Sequence, residues 1–236
     1  QLPPVCEVTE LGRNSTYDKL VLWAESAIYA GCMFKSGMTV QSLLENYLRD
    51  RHDRIPEMKK MELNTTFRFP ANLAALLDKY VYKNGFHSNL DRREMELTCL
   101  NAVKDTNDLR RTSLNEVVAI RRYLTENAGR LGSYVILTPY RKQLDLLGKY
   151  MPDEWKDMNI LTVHKSQGRE WDTVILSVVD TRDMWFSDSK NRISRGLNVL
   201  NTAISRAKKR IVIACDRNYW IAQRGQLLSE IVRTCK

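Results

Sequence analysis

Residues 161–179 read LTVHKSQGREWDTVILSVV. Two apolar, β-branched runs, NILTV (159–163) and DTVILSVV (172–179), flank a short polar loop. Runs of this length and composition, apolar throughout rather than alternating, predict strands buried on both faces. The connection needs turn residues, and only Ser166 and Gly168 are of that kind. The rest of it, His164, Lys165, Gln167, Arg169 and Glu170, is chemistry-bearing. Such a loop does more than join two strands.

Working outward, YVILT (134–138) is a third strand, followed by a helical pattern from Pro139 to about Lys149 with Tyr140, Leu144 and Leu147 on one side. A helix from about Gly196 to Lys208 leads into a further strand, RIVIAC (210–215). SLNE (113–116) is a capping-box signature opening a helix that runs to Ala128. Buried strands alternating with helices predict an α/β fold: a parallel sheet covered by helices on both faces. The amino-terminal third differs. Residues 9–60 are read as a helical insertion ahead of an α/β core over 61–236, and FRFPANLAALLDKYVYKNGF (67–86) as a helix with Pro70 near its first turn.

The chain has 236 residues, 43% hydrophobic and 28% charged, ample for a core of its own. The longest apolar run near the loop, TVILSVV, is far shorter than the ~18 residues of a membrane span, and no signal-peptide pattern opens the chain. Cys6, Cys32, Cys99, Cys215 and Cys235 show no CxxC or zinc spacing, which predicts free thiols and a reducing, cytoplasmic location (the nucleus staying open for a eukaryotic protein). Clustered carboxylates or histidines of a nuclease or metal enzyme are missing from the strand ends. A net charge of +9 suits a polyanionic partner.

Parallel sheets bind ligands at the carboxyl ends of their strands. The loop 164–170 follows one such end, and Thr138, Pro139 and Tyr140 follow another. In the helix after Gly196, Leu197, Leu200, Ala203 or Ile204, and Ala207 repeat as a core stripe, with Asn198, Thr202 and Arg206 as a polar row away from it. Arg206 at a helix carboxy terminus could equally be a solvated charge favoured by the dipole.

QGREWD (167–172) followed by VILS, then LNVLNTAISRAKKRIVIACD (197–216), resemble motifs V and VI of superfamily 1 helicases. The resemblance is to the branch of P-loop NTPases that holds the nonsense-mediated-decay RNA helicase and its DNA-replication relatives. QLPP (1–4), LNTTFRFP (63–70) and VILTPYRKQ (135–143) resemble three further motifs in family order. The resemblance implies a RecA-like fold for the whole chain, the second of two motor lobes. ATP with Mg2+ would bind between the lobes, and the second lobe supplies arginines to the γ-phosphoryl group. By resemblance those arginines are Arg206 and Arg68, and Gln1 senses the γ-phosphate. Glu170, with Gly168 and Arg169 beside it, lies where the family meets the ribose, and Phe67 where an aromatic stacks on the base. Thr138, Tyr140, His164, Ser166 and Gln167 match positions touching a single strand of DNA or RNA at its backbone, contacts that carry no base information. A structural histidine is the plain alternative for His164, and Lys208, Lys209 and Arg210 are read as a solvated basic end.

No GxxxxGK[ST] occurs in the sequence, and Asp153–Glu154 does not follow an apolar strand. The expectation is that the first lobe, with its P-loop and magnesium carboxylate, lies outside this chain in cis, so that the chain alone does not hydrolyse ATP. The competing reading is a degenerate, non-catalytic nucleic-acid-binding module with a helicase-like fold.

Overall fold

The computed structural model describes residues 64–90, 94–104, 111–153, 159–181 and 196–235. The predicted insertion over 9–60 and Gln1 lie outside the described residues. A small parallel ladder joins β1 (Thr65–Thr66) to β2 (His87–Ser88). Between them runs α1 (Ala71–Leu77), with Pro70 as its N-cap, continued by a π-helical turn over Asp78–Tyr82. Lys83 stops that turn with a left-handed φ of 53°.

The main sheet has five strands: β3 (Glu96–Asn101), β4 (Tyr134–Thr138), β5 (Ile160–Thr162), β6 (Trp171–Ser177) and β7 (Ala207–Cys215). Their order is β3-β7-β6-β4-β5, and every neighbouring pair is parallel. One face meets α2 (Leu114–Asn127) and α3 (Arg141–Tyr150). There Ile136, Ile175, Val212 and Ala214 close on Val117, Ile120 and Leu124 of α2 and Leu147 of α3. The opposite face, Val135, Leu137, Val174, Leu176, Ile211 and Ile213, is buried as completely, and α4 (Gly196–Ile204) packs against β6 and β7. Each fully buried aliphatic side chain here is worth about 1.5–3 kcal/mol. α5 (Arg217–Ala222) and α6 (Leu227–Thr234) lie against the edge strand β3. This is the predicted α/β architecture, with strands β4, β6 and β7 where the apolar runs put them.

Five details differ from expectation. The helix after Gly196 stops at Ile204, and β7 begins at Ala207. The Arg206 carbonyl accepts from Trp171 N–H at 3.0 Å, so the sheet captures the chain before the helix can run to Lys208. α4 is also buried nearly all round, so Thr202, placed in a solvent-facing row, is 7% exposed. β5 ends at Thr162 because Val163–Ser166 forms a 3-10 turn. β3 went unread: ELTCLN is an edge strand with mixed exposure and no continuous apolar run. Ser113 does cap α2, its hydroxyl accepting from Glu116 N–H at 3.3 Å. The reciprocal half of the capping box is missing, since Ser113 N–H donates to Gln143 Oε1 at 2.7 Å.

The connection from β5 to β6 has a consequence for function. Both strands run the same way, each paired in parallel with β4. Residues 163–170 must therefore cross from the carboxyl edge of the sheet to its amino edge. His164 begins that crossing and Glu170 ends it.

Candidate functional site

At the amino edge, where β3, β6 and β7 begin, lies an open cavity of about 1240 Å³. Its walls include Phe67, Arg68, Tyr82, Glu170, Arg206 and Lys208. Phe67 and Arg68 come from the bend after β1, Glu170 from the end of the crossover, and Arg206 from the turn between α4 and β7. Segments 102 residues apart meet when Arg68 Nε donates to Glu170 Oε2 at 2.9 Å. Lys208 Nζ bonds the other carboxylate oxygen, also at 2.9 Å. Lys208, then Arg68, hold the Glu170 carboxyl below its ordinary range. All three side chains are about two-fifths exposed, so the pairs orient the groups more than they stabilise the fold.

Arg206 is half-buried and differently held. Its guanidinium donates to the Thr202 carbonyl at 3.1 Å, the Arg169 carbonyl at 3.3 Å and Ser205 Oγ at 3.2 Å. Among the described residues none of its partners is a carboxylate. Burial and the nearby Arg68 charge both depress its pKa. Arg68 Nη1 lies 3.5 Å from the Ser205 carbonyl, so both arginines converge on one turn. Two cations this close, one of them half-desolvated, make a site that favours an anion. Phe67, 68% exposed, presents a bare aromatic face on the same cavity. Gly168 adopts φ +81°, which only glycine takes without strain, and turns the chain so that Arg169 N–H returns to Ser166 O at 3.1 Å. Arg169 itself is exposed.

The carboxyl edge is more closed. Thr138 and Ser166 have no exposed surface. The Thr138 hydroxyl accepts from Tyr140 N–H at 3.3 Å, and the Ser166 hydroxyl donates to Val163 O at 2.7 Å. Both hydroxyls are satisfied internally and shape the strand ends from inside. Tyr140 is 8% exposed, its phenol donating to Asp180 and accepting from Arg111. Burial and the Asp180 carboxylate push that phenol far up. His164 is half-buried, its pKa lowered by burial, and Gln167 is exposed beside it. At the basic end Lys209 stays solvated though paired with Asp172 at 2.9 Å, whereas Arg210 is largely buried and paired with Glu96 at 2.7 Å. Lys208 at the cavity was missed as a site residue.

Glu116 was missed too. It is 1% exposed and accepts from Ser177 Oγ at 2.6 Å and Val179 N–H at 2.8 Å. Burial raises its pKa to about 8. Val179 carries φ +68°, a strained conformation for a β-branched residue. The sequence signal was present in SLNE, but a capping box already accounted for a glutamate at that position.

Residues 103–218 match the model of a family described as an AAA domain. An uncharacterized ATP-dependent helicase of Methanocaldococcus jannaschii is 27% identical over 101 residues, 43% of this chain and 14% of that protein. The DNA-binding protein SMUBP-2 of Rattus norvegicus is 28% identical over 96 residues, 39% of this chain and 9% of that protein. The DNA polymerase alpha-associated DNA helicase A of Schizosaccharomyces pombe is 31% identical over 86 residues, 35% of this chain and 12% of that protein. A solved structure of the PRRSV helicase aligns over 67% of this chain and 24% of that one, at 21% identity and a TM-score of 0.36. The chain thus matches only a small part of the length of these curated relatives. The five-stranded parallel sheet and these sequence relatives support a superfamily 1 helicase family for the chain.

Proposed function

We propose that this chain is the second motor lobe of an ATP-dependent helicase. It completes an ATP site whose phosphate loop and magnesium carboxylate come from another RecA-like lobe. Arg206 and Arg68 act on charge that develops at the γ-phosphoryl group, Phe67 stacks on the base, and Glu170 accepts from the ribose. The carrying observation is the convergence of Arg68 and Arg206 on one cavity with Phe67 and Glu170, at the amino edge of the sheet. The crossover extends the reading. His164 and Gln167 leave the carboxyl edge, where a single strand of DNA or RNA lies along its sugar-phosphate backbone. Arg169 and Glu170 arrive at the nucleotide, so one loop touches both ligands.

The test is Arg206→Ala in the intact two-lobe protein. An arginine that stabilises the transferring phosphoryl is worth about 10³–10⁵ in rate, or about 4–7 kcal/mol of barrier. ATP turnover stimulated by single strands should fall by that order, with nucleotide affinity changed far less. Turnover at the unaltered rate would remove Arg206 from the site, whereas an unaltered two-lobe protein that turns over no ATP would favour a non-catalytic binding module.

A further inference from the structure

Three cysteines gather where the carboxyl ends of β3 and β7 meet α6. Cys99 in β3 and Cys215 in β7 occupy neighbouring strands, their sulfurs 3.9 Å apart. Register sets Cys99 opposite Ile213 and Cys215 opposite Asn101, so the thiols meet on the diagonal of the ladder. Cys235, just beyond α6, is near enough that its charge acts on Cys215 and that of Cys99 acts on it. All three are free thiols. Nothing in the nucleotide site uses them.

The first two are not equivalent. Cys99 is half-buried, whereas Cys215 is 1% exposed. The hydrogen bond between the two sulfurs, with the charge of Arg217 nearby, lowers the Cys99 pKa against the effect of burial. The same bond, and then burial, hold Cys215 well above its ordinary value. A reachable thiol of lowered pKa thus abuts a buried one. Packing as a small apolar side chain accounts for Cys215 alone. It does not account for the two sulfurs facing each other with a cation beside the outer one.

We propose that Cys99 and Cys215 form a reversible peroxide-responsive thiol pair, Cys99 attacking and Cys215 resolving. The Cys99 thiolate attacks one oxygen of hydrogen peroxide. An S–O bond forms, the O–O bond breaks, and hydroxide leaves and takes a proton to become water. Cys99 is then a sulfenic acid. The Cys215 sulfur, giving up its proton, attacks Cys99 Sγ. The S–S bond forms, the S–O bond breaks, and a second water departs. Two thiols lose two electrons and one peroxide becomes two waters. A disulfide needs its sulfurs about 2.05 Å apart, so the two side chains must rotate toward each other and the backbone adjust along the diagonal. β3 is the edge of the sheet, bonded to a strand on one side only, and is the element able to yield. The pair also precedes Asp216, the N-cap of α5, whose Trp220 indole donates to the Asp180 carbonyl at 3.0 Å. Oxidation would therefore be felt at the carboxyl edge, where Tyr140 meets Asp180.

The experiment treats the folded 236-residue chain with a few equivalents of hydrogen peroxide, removes the peroxide, unfolds the chain in urea with N-ethylmaleimide to block every remaining thiol, and maps peptides by mass. The expected product is a Cys99–Cys215 linked peptide pair, lighter by two hydrogens than the two thiol peptides, lost on adding dithiothreitol. Cys235, whose pKa burial pushes up to about 12, should remain alkylatable and serves as the internal control. In Cys215→Ala, Cys99 should instead persist as a sulfenic acid captured by dimedone. Wild-type protein with both thiols alkylated after treatment overturns the proposal. So does a Cys99–Cys235 link, or over-oxidation of Cys99 at the same rate in both proteins. Should Cys215→Ala not fold, the wild-type peptide map decides alone.

Discussion

Glu116 shows how one side chain can set the pH response of the lobe. It lies under the carboxyl end of β6, held by Ser177 Oγ and Val179 N–H, with no compensating cation among its hydrogen-bond partners. Burial raises its pKa from 4.5 to about 8, outweighing those two bonds. The folded chain then keeps a proton that the unfolded chain has released between about pH 4.5 and 8. Its contribution is complete below the unfolded value and is lost as pH rises through the folded one. The slope is about 1.4 kcal/mol per pH unit within that window. Glu116→Gln mimics the protonated carboxyl, so its unfolding midpoint in urea should vary less with pH and exceed the wild-type midpoint at pH 8. Identical pH slopes for the two proteins would mean that Glu116 is ionised in the native state. The sequence could not foretell this. A glutamate three residues after Ser113 has a sufficient local explanation, and only the meeting of α2 with β6 supplies the other one. Arg68 and Arg206 differ again: 138 residues apart in sequence, they were paired by resemblance, and their convergence at Ser205 is visible only in the fold.

At the scale of elements, what could be read was what burial makes unambiguous. β4, β6 and β7 have both faces covered, so their residues are apolar without interruption. β3 has one neighbour and mixed exposure, which leaves no pattern to find. The end of α4 escaped for another reason, since helical spacing continues through Arg206 while the hydrogen bond from Trp171 takes that carbonyl into the sheet. Which edge of the sheet each loop reaches is a property of strand order and direction, and periodicity carries none of it. The crossover depends on Gly168 in particular, because its φ of +81° turns the 3-10 segment toward Arg169 and Glu170. A Cβ there would meet no atom within 4 Å, so any penalty is conformational rather than steric crowding. Gly168→Ala should destabilise the lobe by about 1 kcal/mol, the left-handed cost of roughly 1–2 kcal/mol being partly offset by a stiffer unfolded chain. The urea midpoint should fall while the m-value stays unchanged. A variant as stable as the wild type would show that the loop does not need the left-handed turn.

For the whole molecule, the two edges of the sheet differ in chemistry. The amino edge gathers cations from two distant segments around an exposed aromatic, a composition suited to an anionic ligand with a flat ring. The carboxyl edge carries exposed Gln167 and half-buried His164 around buried Thr138, Tyr140 and Ser166. Hydrogen-bonding groups of this kind suit sugar and phosphate rather than base edges. The chain as a whole carries a net charge of +9, which suits a polyanionic partner. A single strand should therefore bind this lobe through its backbone, releasing counterions as it does. For single strands the logarithm of affinity falls by about 0.7 per decade of salt for each phosphate neutralised. Titration of fluorescent homopolymers at several salt concentrations should give a steep, linear loss of affinity, nearly equal for different bases. Gln167→Ala should weaken every homopolymer alike, by a fewfold, and leave the salt slope unchanged because the amide carries no charge. A flat salt response would remove the phosphate backbone as the partner. A strong preference for one homopolymer, abolished by Gln167→Ala, would instead place a base edge at the start of the crossover.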